Sequence, residues 1–452
     1  MYAKKSVPWQ KSPAFALYDP EGKTAAELKS RGLSNFTPVD SLSAANGAKF
    51  LVVGANTLAK DGGFKALPMD AVKDGLRVLV LRQSADAWKA FGFEVQDRSS
   101  RILYLRDHVS PALRAIDDDA LREWSGAGPQ QFVGHARHEP RWNGNMSLAA
   151  LQLKSPSVVG YRPQIDGEFD LNYSALLDYA YGNGGVKFCT LEFFGRGASD
   201  AAVDRTFNAV FADFLFQGGA HDTAGAPAIR GVVAVGVEAN KIVSDLGAHV
   251  AGKSKAESDD LLLVGSDAKM SAADVNAAAR RGANVLVVAN DEVAKGLGLS
   301  VRPCKDNGVY LVKFDRENPL LRGVGQSQLR WRDRLKYSRL SAKTDWSVDA
   351  EGLIATKTLK NGAKIVVTSF DPYAIERGIT ADRVLVVDGT PRDHPIGEKN
   401  LADCRKRADI SFERSRQLVA RLLTNLGVAP GSCNKLYSGL LKPFDPYFYT
   451  YW

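Results

Sequence analysis

Cysteine and histidine are scarce, 4 and 6 residues in a chain of 452. Cys189, Cys304, Cys404 and Cys433 stand far apart with no CxxC spacing, which argues against a thiolate zinc site and a dense disulfide framework. The spacing leaves room for one late bridge, Cys404 to Cys433. His135-Ala-Arg-His138 is the only close histidine pair; with no third ligand near it, it reads as a loop feature, and no metal or cofactor is expected. No run of about 18 apolar residues occurs, so no membrane-spanning helix is expected. The opening residues, MYAKKSVPWQKSPAF, are basic but lack the apolar stretch of a signal peptide, and no leader is expected in this chain. The net charge is +8, yet the cations are scattered. The densest cluster, Cys404-Arg405-Lys406-Arg407, reads as one solvated helical turn, and the aromatic-interleaved stripe that nucleic acid demands is missing. Phosphate loops are missing too. VVGAN (52–56) and LVGSD (263–267) carry one glycine each and no Lys-Ser/Thr; the glycine is expected to permit a tight turn.

What the chain does contain is written twice. FLVVGAN (50–56) returns as LLLVGSD (261–267), RVLVLRQ (77–83) as NVLVVAN (284–290), and FGFEV (91–95) as LGLSV (297–301). Pro111, Leu113, Arg114, Leu121 and Arg122 match Pro319, Leu321, Arg322, Leu329 and Arg330 at a constant offset. GGVKFCTLEFF (184–194) answers GAKIVVTSFD (362–371), and amphipathic helices follow at Ala201–Phe216 and Phe412–Leu426. Short Val- and Leu-rich runs alternating with helical segments predict parallel strands buried on both faces. Right-handed crossovers then give two tandem doubly wound α/β sheets of flavodoxin type. The Gly/Ala/Pro-rich QGGAHDTAGAPAIRG (217–231) marks the boundary, giving a first copy over 1–220, a second over 231–430 and an aromatic tail over 431–452.

In such a fold the functional crevice lies at the carboxyl ends of the strands. The order of elements resembles the class I glutamine amidotransferase-like superfamily, whose active members place a cysteine at the strand-to-helix corner and a histidine near Glu on a late strand. Here the corner offers Gln83 and Ser84 in the first copy and Asn290 and Asp291 in the second; the late strands offer Cys189 with Glu192, and Thr368 with Ser369. Neither late strand holds histidine. Ser84 and Asp86 are the groups the corner could offer to catalysis. A serine nucleophile needs a base within reach, and the nearest histidines, His108, His135 and His138, lie off the expected strand. Ser84 is expected to cap its helix, and Cys189 to behave as a small apolar residue.

Several segments resemble something narrower, the tandem amidotransferase-like region near the carboxyl end of large bacterial glycoside hydrolases related to family 2 (β-galactosidase- and β-glucuronidase-like). They include ALYDPEGKTAAELKSRGL, LRVLVLRQSADAWKAFGFEVQDRSSRILYLRDHVSPAL, ALREWSGAG, RWNGNMS, DGEFDLNYSALLDYAYGNGGVKFCTLEFFGR and the terminal DPYFYTYW. The resemblance implies a non-catalytic accessory module, because that family's catalytic carboxylates sit on a barrel of eight βα units that this chain does not contain. It implies a catalytic glycoside hydrolase domain or subunit as partner, with self-association compatible; the relatives are often exported. Two regions are candidates for carbohydrate or partner contact: Arg141, Trp142, Asn143 and Asn145 in a loop of the first copy only, and Tyr447, Tyr449 and Trp452 in the tail. An indole can stack on a pyranose while amide and guanidinium groups reach its hydroxyls; packing of Trp142 onto the sheet is the competing expectation. An aromatic tail is a solubility liability unless it docks. An independent hydrolase using strand-end residues, and a carbohydrate-binding module centred on Trp142, are the alternatives.

Overall fold

The computed structural model describes residues 9–45, 47–100, 102–122, 124, 149–167, 173–194, 201–216, 231–304, 312–329, 335–343, 345–375 and 412–432. The first copy runs β1 (Phe15–Tyr18), α1 (Lys23–Ser30), β2 (Phe36–Pro38), β3 (Phe50–Val53), α2 (Met69–Asp74), β4 (Arg77–Val80) and α3 (Ala85–Ala90). It continues with β5 (Val95–Ser100), β6 (Leu103–Leu105), α4 (Pro111–Arg114), β7 (Ala149–Lys154), β8 (Tyr161–Gly167), β9 (Tyr173–Tyr181), β10 (Gly184–Cys189) and α5 (Ala201–Phe216). The second copy runs β11 (Gly231–Val235), α6 (Val237–Asp245), β12 (Asp260–Val264), α7 (Ala272–Arg280), β13 (Asn284–Val288), α8 (Asp291–Gly296), β14 (Ser300–Pro303) and β15 (Leu335–Ser341). Then come β16 (Ser347–Asp349), β17 (Ile354–Thr358), β18 (Lys364–Thr368), β19 (Phe370–Ile375) and a closing helix α9 (412–425).

The two sheets share one plan. In the first, β2-β1-β3-β4-β10 lie side by side and every neighbouring pair is parallel. This is the flavodoxin strand order. The second repeats it as β11-β12-β13-β18, again all parallel, with the place of β2 reduced to a single parallel bridge between Val232 and Val250. The central strands β3, β4, β12 and β13 carry continuous apolar runs because helices cover both faces. Phe50 and Val52 of β3 point into one core layer and Leu51 and Val53 into the other; Leu261 and Leu263 of β12 are split from Leu262 and Val264 in the same way.

Beyond β10 and β18 each sheet turns antiparallel. β9 returns beside β10 through a two-residue hairpin at Gly182-Asn183, and β17 pairs antiparallel with β18. Gly182 has φ 61°, and a Cβ there would meet the Lys73 backbone at 2.3 Å, so only glycine closes this turn against α2.

The copies are fused through a buried polar seam. β8 alternates Tyr161, Pro163 and Ile165 with Arg162, Gln164 and Asp166, a pattern that reads as a half-solvated strand, yet all seven residues are buried. Its polar face meets the second copy. Arg162 donates to the Asn425 side chain at 2.7 Å and to the Thr424 carbonyl at 3.2 Å. From α9, Arg421 donates to the Pro156 carbonyl at 2.7 Å and Gln417 to the Ser155 carbonyl at 3.0 Å. Arg322 donates to Asp107 at 2.8 Å, and Gln164 donates to the same carboxylate oxygen at 2.8 Å. Burial of Asp107 opposes its charge, but Arg322, Gln164 and the Ser110 amide outweigh it and hold the carboxyl below its ordinary range. Arg114 and Arg322 occupy the same repeat position and each reaches an acid of the opposite copy, Arg114 to Glu317 at the surface and Arg322 to Asp107 inside.

Candidate functional site

The strand crests are where a doubly wound sheet places its chemistry. At the first-copy corner Ser84 is exposed and its hydroxyl accepts the Ala87 amide at 3.2 Å, the expected N-cap. Gln83 is buried: Nε2 donates to the Gly54 and Leu81 carbonyls at 2.8 and 2.7 Å, and Oε1 accepts the Leu58 amide at 2.9 Å. Asn290 combines both roles in the second copy. Its Nδ2 donates to the Gly265 carbonyl at 3.0 Å while its Oδ1 accepts the Val293 amide at 3.1 Å to cap α8. Both polar residues therefore tie one crest loop to the next. Asp86 is exposed and pairs with Lys60 and Lys89 on the surface.

The bend itself falls one residue before the expected corner pair. In the second copy it is Ala289, held at φ 48° with its amide donating to the Thr368 carbonyl at 2.9 Å. An alanine in left-handed backbone costs on the order of 1 kcal/mol, and a methyl carries no reaction. The matching residue of the first copy is Arg82. Its Nε lies 2.6 Å from Oε1 of Glu192, a carboxylate with only 2% of its surface exposed. The pair occupies the place where a nucleophile and its partner would stand. Sequence reasoning passed over it because Arg82 and Glu192 are 110 residues apart, and only the β4–β10 pairing brings their strand ends together.

Cys189 ends β10 fully buried, and its thiol is pushed up to about 12, first by burial and further by the nearby Glu192 carboxylate. It is not an available thiolate. His108 belongs to the seam: its surroundings are the Leu105 carbonyl, Asp107, Arg106 and Arg316, with burial lowering its pKa first and Arg316 next. Arg141, Trp142, Asn143 and Asn145, the pair His135 and His138, Cys404 and Cys433, and the tail with Tyr447, Tyr449 and Trp452 lie outside the described residues.

The anion seat at the first helix of each copy is already filled. In the first, Asp19 accepts the Ala25 amide at 2.8 Å. In the second, Asp267 accepts the Val237 and Glu238 amides at 2.7 and 3.2 Å. A phosphate would compete with the protein's own carboxylate. A tight turn follows each crest glycine as expected, with the Ala268 amide donating to the Gly265 carbonyl at 3.2 Å, but it is the plug that demands glycine: a Cβ on Gly54 would meet Thr24 Oγ1 at 2.9 Å and Asp19 at 3.1 Å, and one on Gly265 the Ala239 amide at 2.8 Å. Positive φ falls instead on Asn56, at 58°.

The crests then diverge. The first opens a cleft of about 590 Å³ between α1 and the ends of β3, β4 and β10, walled by Lys23, Glu27, Asn56, Arg82, Glu192 and Phe194 among others. The second gathers acids. Ser266 Oγ lies 3.0 Å from Glu238 and 3.3 Å from Asp371. A hydroxyl has one proton to give; Asp371 also accepts the Tyr373 amide at 2.7 Å, whereas Glu238 Oε1 is buried without a hydrogen-bond donor. Burial first, then Asp371, raises Glu238 to about 7. Among the described residues no group of three or more His, Cys, Asp and Glu is arranged to hold a metal.

No family model matches the chain, and the search of curated proteins finds no match. Among solved structures the chain is similar to a glutamine amidotransferase from Thermotoga maritima, with 10% identity over 40% of this chain and 75% of that one and a TM-score of 0.24.

Proposed function

We propose that the chain is a catalytically silent tandem α/β module that supports a carbohydrate-active enzyme, through packing, assembly or shaping of an active-site rim. The observation that carries the silent part is the corner. Arg82 and the buried Glu192 neutralise each other in the first copy, and Ala289 takes the bend in the second. Nucleophilic catalysis needs an activated side chain at that point; an ion pair and a methyl offer none. The supporting role draws on the seam, whose buried Arg, Asp, Gln and Asn side chains fix one relative placement of the two copies. The link to glycoside hydrolases related to family 2 rests on the sequence resemblance alone.

The test is a turnover assay on the purified chain with aryl glycosides and with glutamine, alongside capture of the catalytic glycoside hydrolase. We expect no turnover, and weaker capture when residues 444–452 are removed. Hydrolysis that disappears in Ser84→Ala would overturn the proposal in favour of an independent hydrolase.

A further inference from the structure

We infer that the cleft at the first crest binds a neutral carbohydrate of about disaccharide size; this deepens the supporting role proposed above and rests on it. The volume, about 590 Å³, falls within the roughly 300–1,000 Å³ of small-molecule sites. The charge inventory selects the ligand. Lys23 and Arg82 are matched by Glu27 and Glu192 within the lining, Lys23 pairs with Glu21 outside it, and Arg82 is committed to Glu192 at 2.6 Å. Two cations and two carboxylates leave the lining without net charge, so an anion gains little beyond the exposed Lys23, and the α1 amide that could help is taken by Asp19. A cation would meet Lys23 and Arg82 in the same lining, and drawing the buried Glu192 away from Arg82 is costly.

A neutral ligand rich in hydroxyls meets neither obstacle. It can use the outer donors of the half-buried Arg82 guanidinium and the side-chain amide of Asn56, both in the lining. The backbone at Asn56 is set by its amide, which donates to the Arg82 carbonyl at 2.8 Å. Beside these polar groups stands an apolar wall of Leu81, Leu191 and the half-buried ring of Phe194. A ring face of C–H groups edged by hydroxyls matches that division, with aromatic contact on one side and directional donors and acceptors on the other.

The experiment is isothermal titration of the full chain with glucose, galactose, mannose, lactose, cellobiose and maltose. Glucuronic acid and glutamine serve as the charged arms. Ala26 is exposed on α1 and lines the cleft without touching the ion pair, so Ala26→Trp fills the space while leaving the fold intact. Arg82→Ala removes the central donor, and circular dichroism checks that each variant is folded. We expect saturable binding of at least one neutral sugar, weakened about tenfold or more by Ala26→Trp and unaffected by Trp142→Ala. Absence of saturable binding for all six neutral sugars, preference for a charged arm, or full affinity in Ala26→Trp overturns the inference. If sugars fail to bind while the chain still captures the hydrolase without turnover, only this inference falls; turnover by the chain removes the supporting role instead.

Discussion

Arg322→Met tests the seam where it is most exacting. The substitution keeps most of the aliphatic volume and removes the guanidinium that Asp107 faces at 2.8 Å, with the two side chains 10% and 1% exposed. Removing one partner of a buried pair costs about 3–5 kcal/mol, because the remaining charge stays dehydrated. Asp107 keeps the Gln164 amide and the backbone amides of Val109 and Ser110 as donors, which places the expected loss near the low end, about 3 kcal/mol. The repeat supplies an internal control. Arg114 sits at the matching position and pairs with Glu317, but those side chains are 46% and 62% exposed. Arg114→Met is therefore expected to cost no more than about 0.5 kcal/mol. The assay is urea unfolding followed by circular dichroism and by tryptophan fluorescence from Trp88 and Trp124, both fully buried in the first copy. In the double variant Asp107→Asn/Arg322→Met part of the loss should return, since the stranded charge is gone. A loss for Arg322→Met no larger than that for Arg114→Met would refute the claim that burial gives this pair its weight.

Two further predictions rest on single residues. Cys189 should stay unlabelled by iodoacetamide in the native chain at pH 8 and become labelled in denaturant, as read by peptide mass spectrometry; rapid native labelling would mean that the end of β10 is open. Glu238 has a raised folded-state pKa, about 7 against an ordinary 4.5. Its contribution to stability is thus complete below about pH 4.5 and is lost as pH rises through 7. Glu238→Gln imitates the protonated acid and should be near-neutral at pH 4.5 yet stabilising at pH 8, by about 1 kcal/mol once solvent screening at this partly exposed site is discounted; a difference in urea midpoint that does not change with pH would show that burial and Asp371 do not raise Glu238 in the folded chain.

The duplicated sheet was legible in the amino-acid sequence because its signal is local. A buried parallel strand must be apolar on both faces, and β3, β4, β12 and β13 declare this in three or four consecutive apolar residues each. The Ser84 cap was legible for the same reason, since donor and acceptor lie three residues apart. The Arg82–Glu192 pair, the Glu238–Ser266–Asp371 group and the seam were not. Their members are drawn from separate elements, and nothing in the residues around them specifies which elements become neighbours. β8 and α9 show the limit most clearly. Each alternates apolar and polar residues as a surface element would, and periodicity reports only that two faces differ in chemistry. Whether the polar face meets water or another polar face depends on how the two copies pack. Here the second copy covers the face: Arg162 reaches Asn425 across the seam, Gln417 and Arg421 reach backbone carbonyls of the first copy, and Gln164 bonds Asp107, which Arg322 of the second copy also holds, all in place of solvent.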